Sequence, residues 1–225
     1  MTTKETAKKI AIATAKGVVS GVPYIGGLLA EYMGLVTDKM AAKIMNEWMK
    51  LVDDRLSKIE CKIEELADDE FFYSCVHATT QGAIKAPISE KREMYANALY
   101  NSFAIKDISE EKKSIFIWQL EKYNLVSIKV LNLLSQNNIL KSSHRLAGSA
   151  SFGRNNYQDF IEYIVENIPE LENEDEFLKL IINTLYTDGM IELIDFQYLE
   201  RGARCAGKRT TLLGDQFIKF IKLNE

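Results

Sequence analysis

The sequence predicts a mainly α-helical protein: an N-terminal bundle that contains one long heptad helix, and a C-terminal part with a small β-hairpin. Three observations support this fold class. Hydrophobic residues make up 47% and charged residues 27% of the 225 residues, which is typical of a folded globular chain. Prolines number only three, so few positions interrupt a helix. Apolar residues recur at spacings of three and four over most of the chain, which is the period of a helix face.

The composition of the chain limits which binding partners and which kinds of site are expected. The net charge of −4 provides no overall basic surface for nucleic acid or anionic lipid. Cys61, Cys75 and Cys205 are odd in number and share no metal-type spacing, which predicts reduced thiols in a cytoplasmic protein. His77 and His144 are the two histidines, so the sequence predicts no metal or cofactor site.

The stretch Gly17–Thr37, GVVSGVPYIGGLLAEYMGLVT, is the most unusual part of the sequence because it carries one charge in 21 residues. Its uncharged portion, Gly17–Ala30, has 14 residues, fewer than the roughly 20 that a membrane-spanning helix needs. Small residues recur every fourth position on both sides of a proline, which allows helices to approach closely. We expect membrane or oligomer contacts at Gly17, Gly21, Pro23, Gly26, Gly27, Ala30 and Gly34.

Two interpretations of this stretch remain open. It is either a helical hairpin buried in a soluble bundle or a segment that meets the membrane, since small-residue spacing serves both. The second interpretation predicts a cytoplasmic protein that lies against the inner face of the membrane.

A long amphipathic helix is predicted from Asp38 to about Leu66. Its apolar positions alternate spacings of four and three over three heptads: Met45, Met49, Val52, Leu56, Ile59, Ile63 and Leu66. Such a seam forms either a coiled coil or the inner face of a bundle. Trp48, beside the seam, is expected in the core.

Three further helices complete the predicted bundle of residues 1–137. An acidic patch at 68–70 precedes a helix over 70–85, which ends before Pro87. Ser89 is expected to cap a helix over 90–103, and Ser109 to cap a longer helix that reaches Gln136. Apolar residues run along that last helix: Ile115, Trp118, Leu120, Leu125, Ile128, Leu131 and Leu134.

Residues 138–156 are predicted to be a linker or mobile loop, because serine, glycine and asparagine interrupt the helical period there. The remaining residues, 157–225, follow a different pattern. Helices are expected over 156–167 and 175–187, a strand over 190–196, a turn-rich excursion, a short strand at 210–213 and a final helix over 215–223.

The motifs L-x-x-D-G-M-I-x-L, from Leu185, and T-x-L-G-x-x-F-I, from Thr211, make this region resemble the ends of bacterial winged-helix proteins. The resemblance implies contact with DNA or protein through the second helix and the wing. That helix opens with acidic residues, which favours a protein partner over phosphates. Candidate residues for nucleic-acid or partner contact are Arg201, Arg204, Lys208 and Arg209 in the wing.

No catalytic motif is complete in this sequence. Residues 202–210, GARCAGKRT, match the first seven positions of the phosphate-binding loop, but Arg209 occupies the position that requires serine or threonine. Cys75 and His77 are two residues apart and point to different faces of a helix, so they form no local nucleophile–base pair. We therefore predict no catalytic residues and a protein that is not an enzyme.

The segment GVPYIGGLLAE, the heptad helix and EKREMYANAL at 90–99 together resemble helical proteins of bacteria and mobile elements that have no settled activity. The glycine-rich start before a helical bundle is similar to fungal HeLo-type cell-death domains. This likeness implies an effector in bacterial defence or cell death. We therefore expect a protein that oligomerises or engages membrane through Gly17–Thr37, with the C-terminal domain binding or sensing a partner; a passive scaffold in a larger complex is also compatible with the sequence. The alternative is a prophage-type DNA-binding transcriptional regulator that dimerises through the bundle.

Overall fold

A computed structural model of the chain describes residues 39–58, 69–136, 156–192 and 208–223, with side chains from residue 160 onward in the third range. The described part is mainly helical, as predicted. Its helices are α1 (Lys39–Leu56), α2 (Glu70–Lys85), α3 (Ser89–Ala104), α4 (Glu110–Lys122), α5 (Leu125–Leu134), α6 (Asn156–Asn167), α7 (Asp175–Thr187) and α8 (Leu212–Ile221), with a 3-10 turn at Pro169–Leu171.

The chain divides into two compact units. Of the described residues, the first unit contains 39–58, 69–122 and 219–223, and the second contains 123–136, 156–192 and 208–218. The sequence grouped 123–137 with the N-terminal bundle, whereas the described residues 123–136 belong to the second unit. All but the last residue of the predicted linker, 138–156, lies outside the described residues, so the three-part division of the chain stays a prediction.

The heptad positions of α1 face the interior of the first unit. Met45, Met49, Val52 and Leu56 are at most 1% exposed, and Trp48 donates its Nε1–H to Thr80 Oγ1 of α2 at 3.1 Å, which confirms its expected core position. The helix ends at Leu56 and a turn follows at 57–58, so a continuous helix to Leu66 was wrong. The three later heptad positions lie outside the described residues.

Local capping determines where α2 begins. The Asp69 carboxylate accepts hydrogen bonds from the backbone N–H groups of Phe71 (2.8 Å) and Phe72 (3.2 Å), which would otherwise lack partners in the first helical turn. The predicted range 70–85 is confirmed. Ser89, however, does not cap α3: it is the first residue of that helix, and Ile88 occupies the capping position.

The long helix predicted after Ser109 is two helices. It breaks after Lys122, and Asn124 begins α5 by accepting hydrogen bonds at its Oδ1 from Ser127 N (2.7 Å) and Ser127 Oγ (3.0 Å). Asparagine is a strong helix N-cap, and this local preference outweighs the apolar period that continues on both sides. Ile115 and Trp118 belong to α4, the first of these two helices. Their side chains are exposed and do not enter the core.

In the first unit, two side chains of α3 hold the end of α8. Asn101 Nδ2 donates to Phe220 O (2.8 Å) and Lys222 O (2.6 Å), and Asn97 Nδ2 donates to Ile221 O (3.2 Å). The carbonyls in the last turn of a helix have no partners within it. Helix α3 therefore caps a segment that lies about 120 residues later in the sequence.

The second unit contains the two helices predicted at 156–167 and 175–187, both confirmed. An isolated antiparallel bridge joins Ile191 to Thr210. Two backbone hydrogen bonds flank it, from Glu192 N to Arg209 O (2.9 Å) and from Thr211 N to Met190 O (3.0 Å). Helix α8 begins at Leu212, so the short strand predicted over 210–213 does not continue past the bridge.

Within the four described ranges, no helix combines the length and apolar character needed to cross a bilayer.

Candidate functional site

A cleft of about 260 Å³ lies between α2, α3 and α4 in the first unit. Residues four or three positions apart on α2 and on α4 form its two walls, and a tyrosine of α3 forms its floor. The lining residues are Ser74, Cys75, Ala78 and Gln81, then Tyr95, then Ser114, Ile117, Trp118 and Glu121.

Tyr95 can form the floor of the cleft because the residue of α2 that faces its ring is Gly82, which has no side chain. A Cβ atom at Gly82 would lie 2.3 Å from Cζ of the Tyr95 ring, so any other residue would push the ring out of place. Tyr95 is 1% exposed. Burial raises the pKa of its hydroxyl, and the negative charge of Glu121 raises it further.

Two lysines contact Glu121, a residue that lines the cleft. Glu121 Oε1 pairs with Lys85 Nζ at 2.9 Å, and Lys91 Nζ donates to Glu121 O at 3.3 Å. Burial lowers the pKa of Lys91, while the Glu121 carboxylate opposes that shift. These contacts connect the ends of α2, α3 and α4.

Cys75 lies at the inner side of the cleft and is 2% exposed. Burial raises the pKa of its thiol to about 11, against the opposing effects of a hydrogen bond with Ser102 and of the Lys113 charge. Lys113 is itself 5% exposed and donates from Nζ to Ser102 O at 2.9 Å. Burial lowers its pKa, and the like charge of Lys106 acts in the same direction.

The buried thiol and hydroxyl of the cleft are poorly suited to nucleophilic attack or proton transfer at neutral pH. A thiol with a pKa of about 11 is almost entirely protonated at neutral pH, and a thiol reacts as a nucleophile through its thiolate. The Tyr95 hydroxyl is neutral for the same reason. No group of three or more metal-ligating side chains occurs in the part of the chain that the structure describes. The cleft is also smaller than the roughly 300 Å³ at which ligand pockets begin.

The glycine-rich contact residues predicted between Gly17 and Gly34 lie outside the described residues, as do Arg201 and Arg204 of the predicted wing. The structure describes the other two wing residues, beside the Ile191–Thr210 bridge. Lys208 forms an ion pair with Asp215 in the first turn of α8. The half-buried Arg209 donates its backbone N–H to Leu134 O at 2.8 Å.

Residues 156–192 of the second unit are strongly acidic. Between Asn156 and Glu192, ten residues are acidic and only Lys179 is basic. Four of the carboxylates line a groove of about 410 Å³ beside α6 and the start of α7, together with Ile161, Val165 and Asn173: Glu162, Glu166, Glu172 and Asp175. This concentration of negative charge repels phosphate groups.

Sequence reasoning missed the outer face of α4. Trp118 is 58% and Ile115 48% exposed, whereas the sequence places both in the apolar row of one long helix. The Lys122 Nζ atom lies 5.4 Å from the centroid of the Trp118 ring, a cation–π distance. A sequence signal was available, because α4 carries a second apolar row, Phe116 and Leu120, both 0% exposed.

The chain has no match among protein-family models, curated proteins or solved structures.

Proposed function

We propose that this protein is a non-enzymatic effector in bacterial defence or cell death, which oligomerises or engages membrane through Gly17–Thr37. Its winged-helix-like C-terminal domain binds or senses a protein partner. The observation that carries the proposal is the composition of this stretch, with one charge in 21 residues directly before the helical bundle. A short apolar segment of this kind binds at a membrane interface or between protein copies more readily than it spans a bilayer.

Two features of the described residues support this proposal. The heptad seam of α1 is buried inside the first unit, where Met45 and Met49 are fully buried, so an oligomer would form through another part of the chain. The acidic groove of the second unit, which Glu162 and Asp175 help to line, favours a partner with basic side chains over nucleic acid.

Dye-filled vesicles of anionic and of neutral phospholipid test the membrane function. The full-length protein should release the dye, and a variant without residues 1–37 should not. A matched variant with Leu28→Glu and Leu29→Glu keeps the length of the chain but places two charges in the apolar stretch, and it should also lose release. Circular dichroism of each variant verifies that the helical bundle is retained.

A full-length protein that neither binds nor permeabilises either kind of vesicle, also after chemical crosslinking into oligomers, would contradict the membrane part of the proposal. Toxicity on expression provides an independent readout. It should disappear with the same two variants and persist in Arg204→Ala.

A prophage-type DNA-binding regulator is the second candidate function. The Ile191–Thr210 bridge favours it, because it brings the two ends of the predicted wing together beside Lys208 and Arg209. DNA affinity should then fall steeply with salt, and Arg204→Ala combined with Arg209→Ala should reduce the salt slope by about two. Absence of DNA binding at low salt removes this candidate.

A further inference from the structure

The outer face of α4 carries a row of four exposed residues: Glu111, Ile115, Trp118 and Lys122. Their spacings of four, three and four place them along one side of the helix. The acidic residue stands at the start of the row, the two large apolar side chains lie in the middle, and the lysine stands at the end. The row faces away from the core, which α4 contacts through Phe116 and Leu120.

This row is complementary to itself. The pair Glu111 and Lys122 and the pair Ile115 and Trp118 are both centred on the same point of the helix, between residues 116 and 117. A two-fold axis through that point would place two copies of α4 antiparallel. Each Glu111 would then face Lys122 of the second copy, and each Ile115 would face the other Trp118. Such a contact is isologous, as two-fold dimer interfaces are.

We infer that the Glu111–Lys122 face of α4 is a homodimer interface, in which a second copy of this chain covers Trp118 and Ile115. Opposite charges at the ends of the row fix the antiparallel direction, because the parallel arrangement would oppose like charges. Trp118 stands near the centre of the contact, where tryptophan most often dominates binding. The inference goes beyond the proposed function, because it adds a contact between copies of the chain that is separate from Gly17–Thr37.

The interface is small. A stable dimer buries roughly 800 Å² on each partner, more than one row on one helix provides, so the dimer should dissociate on dilution. Sedimentation equilibrium of the full-length protein in lipid-free buffer, between about 5 and 500 μM, should show a monomer–dimer equilibrium. Trp118→Ala should weaken it by about a hundredfold or more, since each dimer contains two copies of this residue.

Charge exchange tests the geometry. Glu111→Lys and Lys122→Glu should each weaken association by about tenfold, because each turns two attractive pairs in the dimer into two repulsive ones. The double variant restores opposite charges and should return to within about threefold of the original affinity. Glu110→Lys is the matched control: it makes the same charge change in the same helical turn, but lies outside the row and should leave the affinity unchanged.

A protein that stays monomeric up to about 500 μM overturns the inference, as does a dimer that is indifferent to Trp118→Ala or not restored by the double exchange. The vesicle assay reports on Gly17–Thr37 and uses none of these variants. A dimer without vesicle leakage therefore supports the interface while contradicting the membrane function, and leakage by a strictly monomeric protein does the reverse.

Discussion

Asn101 is the residue whose replacement most directly tests how the first unit is held together. It is 1% exposed, and its amide donates to Phe220 O (2.8 Å) and Lys222 O (2.6 Å) at the end of α8. Asn101→Ala removes both donors and leaves the two carbonyls without these partners. A lost hydrogen bond costs about 0.5–1.5 kcal/mol, and a buried unsatisfied group about 1–3 kcal/mol. We expect the free energy of unfolding to fall by about 2–3 kcal/mol.

Tryptophan fluorescence is well suited to the measurement. Trp48 and Trp118 are the two tryptophans of the chain, and both belong to the first unit, so urea unfolding followed at their emission reports on that unit. With a urea dependence of about 1–3 kcal/mol per molar, the expected loss lowers the midpoint by about 0.7–3 M.

Two further variants test whether the side-chain amide hydrogen bonds, rather than the volume of the side chain, stabilise the contact with α8. Asn97→Ala removes the donor that contacts Ile221 O at 3.2 Å and also the Oδ1 atom that accepts a 2.8 Å hydrogen bond from Arg55 Nε, and it should cost about 2–3 kcal/mol. Asn101→Asp keeps the shape of the side chain but replaces the donor by a carboxylate that faces carbonyl oxygens, and it should be less stable than Asn101→Ala. An unchanged urea midpoint for Asn101→Ala, or an aspartate variant that is as stable as the original protein, would contradict this role of Asn101.

Three further predictions concern single sites. Gly214→Ala should destabilise the second unit by about 3 kcal/mol in thermal unfolding followed by circular dichroism, because its Cβ would lie 2.1 Å from Met190 O, a backbone atom; an unchanged midpoint would contradict this. Asp69→Ala should cost about 1 kcal/mol in the tryptophan-monitored urea assay, whereas Asp69→Asn should cost less. The raised pKa of Cys75, about 11 against 9.0, means that its contribution is complete below pH 9 and is lost as pH rises through 11. The unfolding free energy should thus fall by about 3 kcal/mol over that window, and Cys75→Ala should remove this part of the loss.

Helix boundaries were predicted well where a local signal determines them. The range 70–85 is marked by the Asp69 cap at its start and by Pro87 beyond its end, and both act within a few residues. The ranges 156–167 and 175–187 follow from apolar periodicity alone. Asn124 carried an equally local signal, but the apolar period on both sides of it concealed the break.

The cleft and the capping of α8 could not be predicted in the same way. Three separate helices build the cleft, and it depends on Gly82 making room for the ring of Tyr95. Asn101 lies 119 residues from Phe220 in sequence, so no spacing or motif connects the two. Contacts of this kind depend on which helices become neighbours, and a periodic pattern in one helix does not specify its neighbours.

The outer row of α4 shows that a periodic apolar pattern identifies a face of a helix but does not establish that this face is buried. Periodicity identifies which residues share a side of a helix, but α4 has two apolar sides, and only the side with Phe116 and Leu120 enters the core. An exposed tryptophan forgoes the stabilisation that burial would provide, roughly 25 cal/mol for each Å² of apolar surface. Glu111 and Lys122 lie at equal distances from the centre of the row, so their opposite charges favour an antiparallel arrangement of two copies of α4. An apolar pair between opposite charges is what a second copy of the same helix would match, and this symmetry makes Trp118 the first residue to replace in testing how the protein assembles.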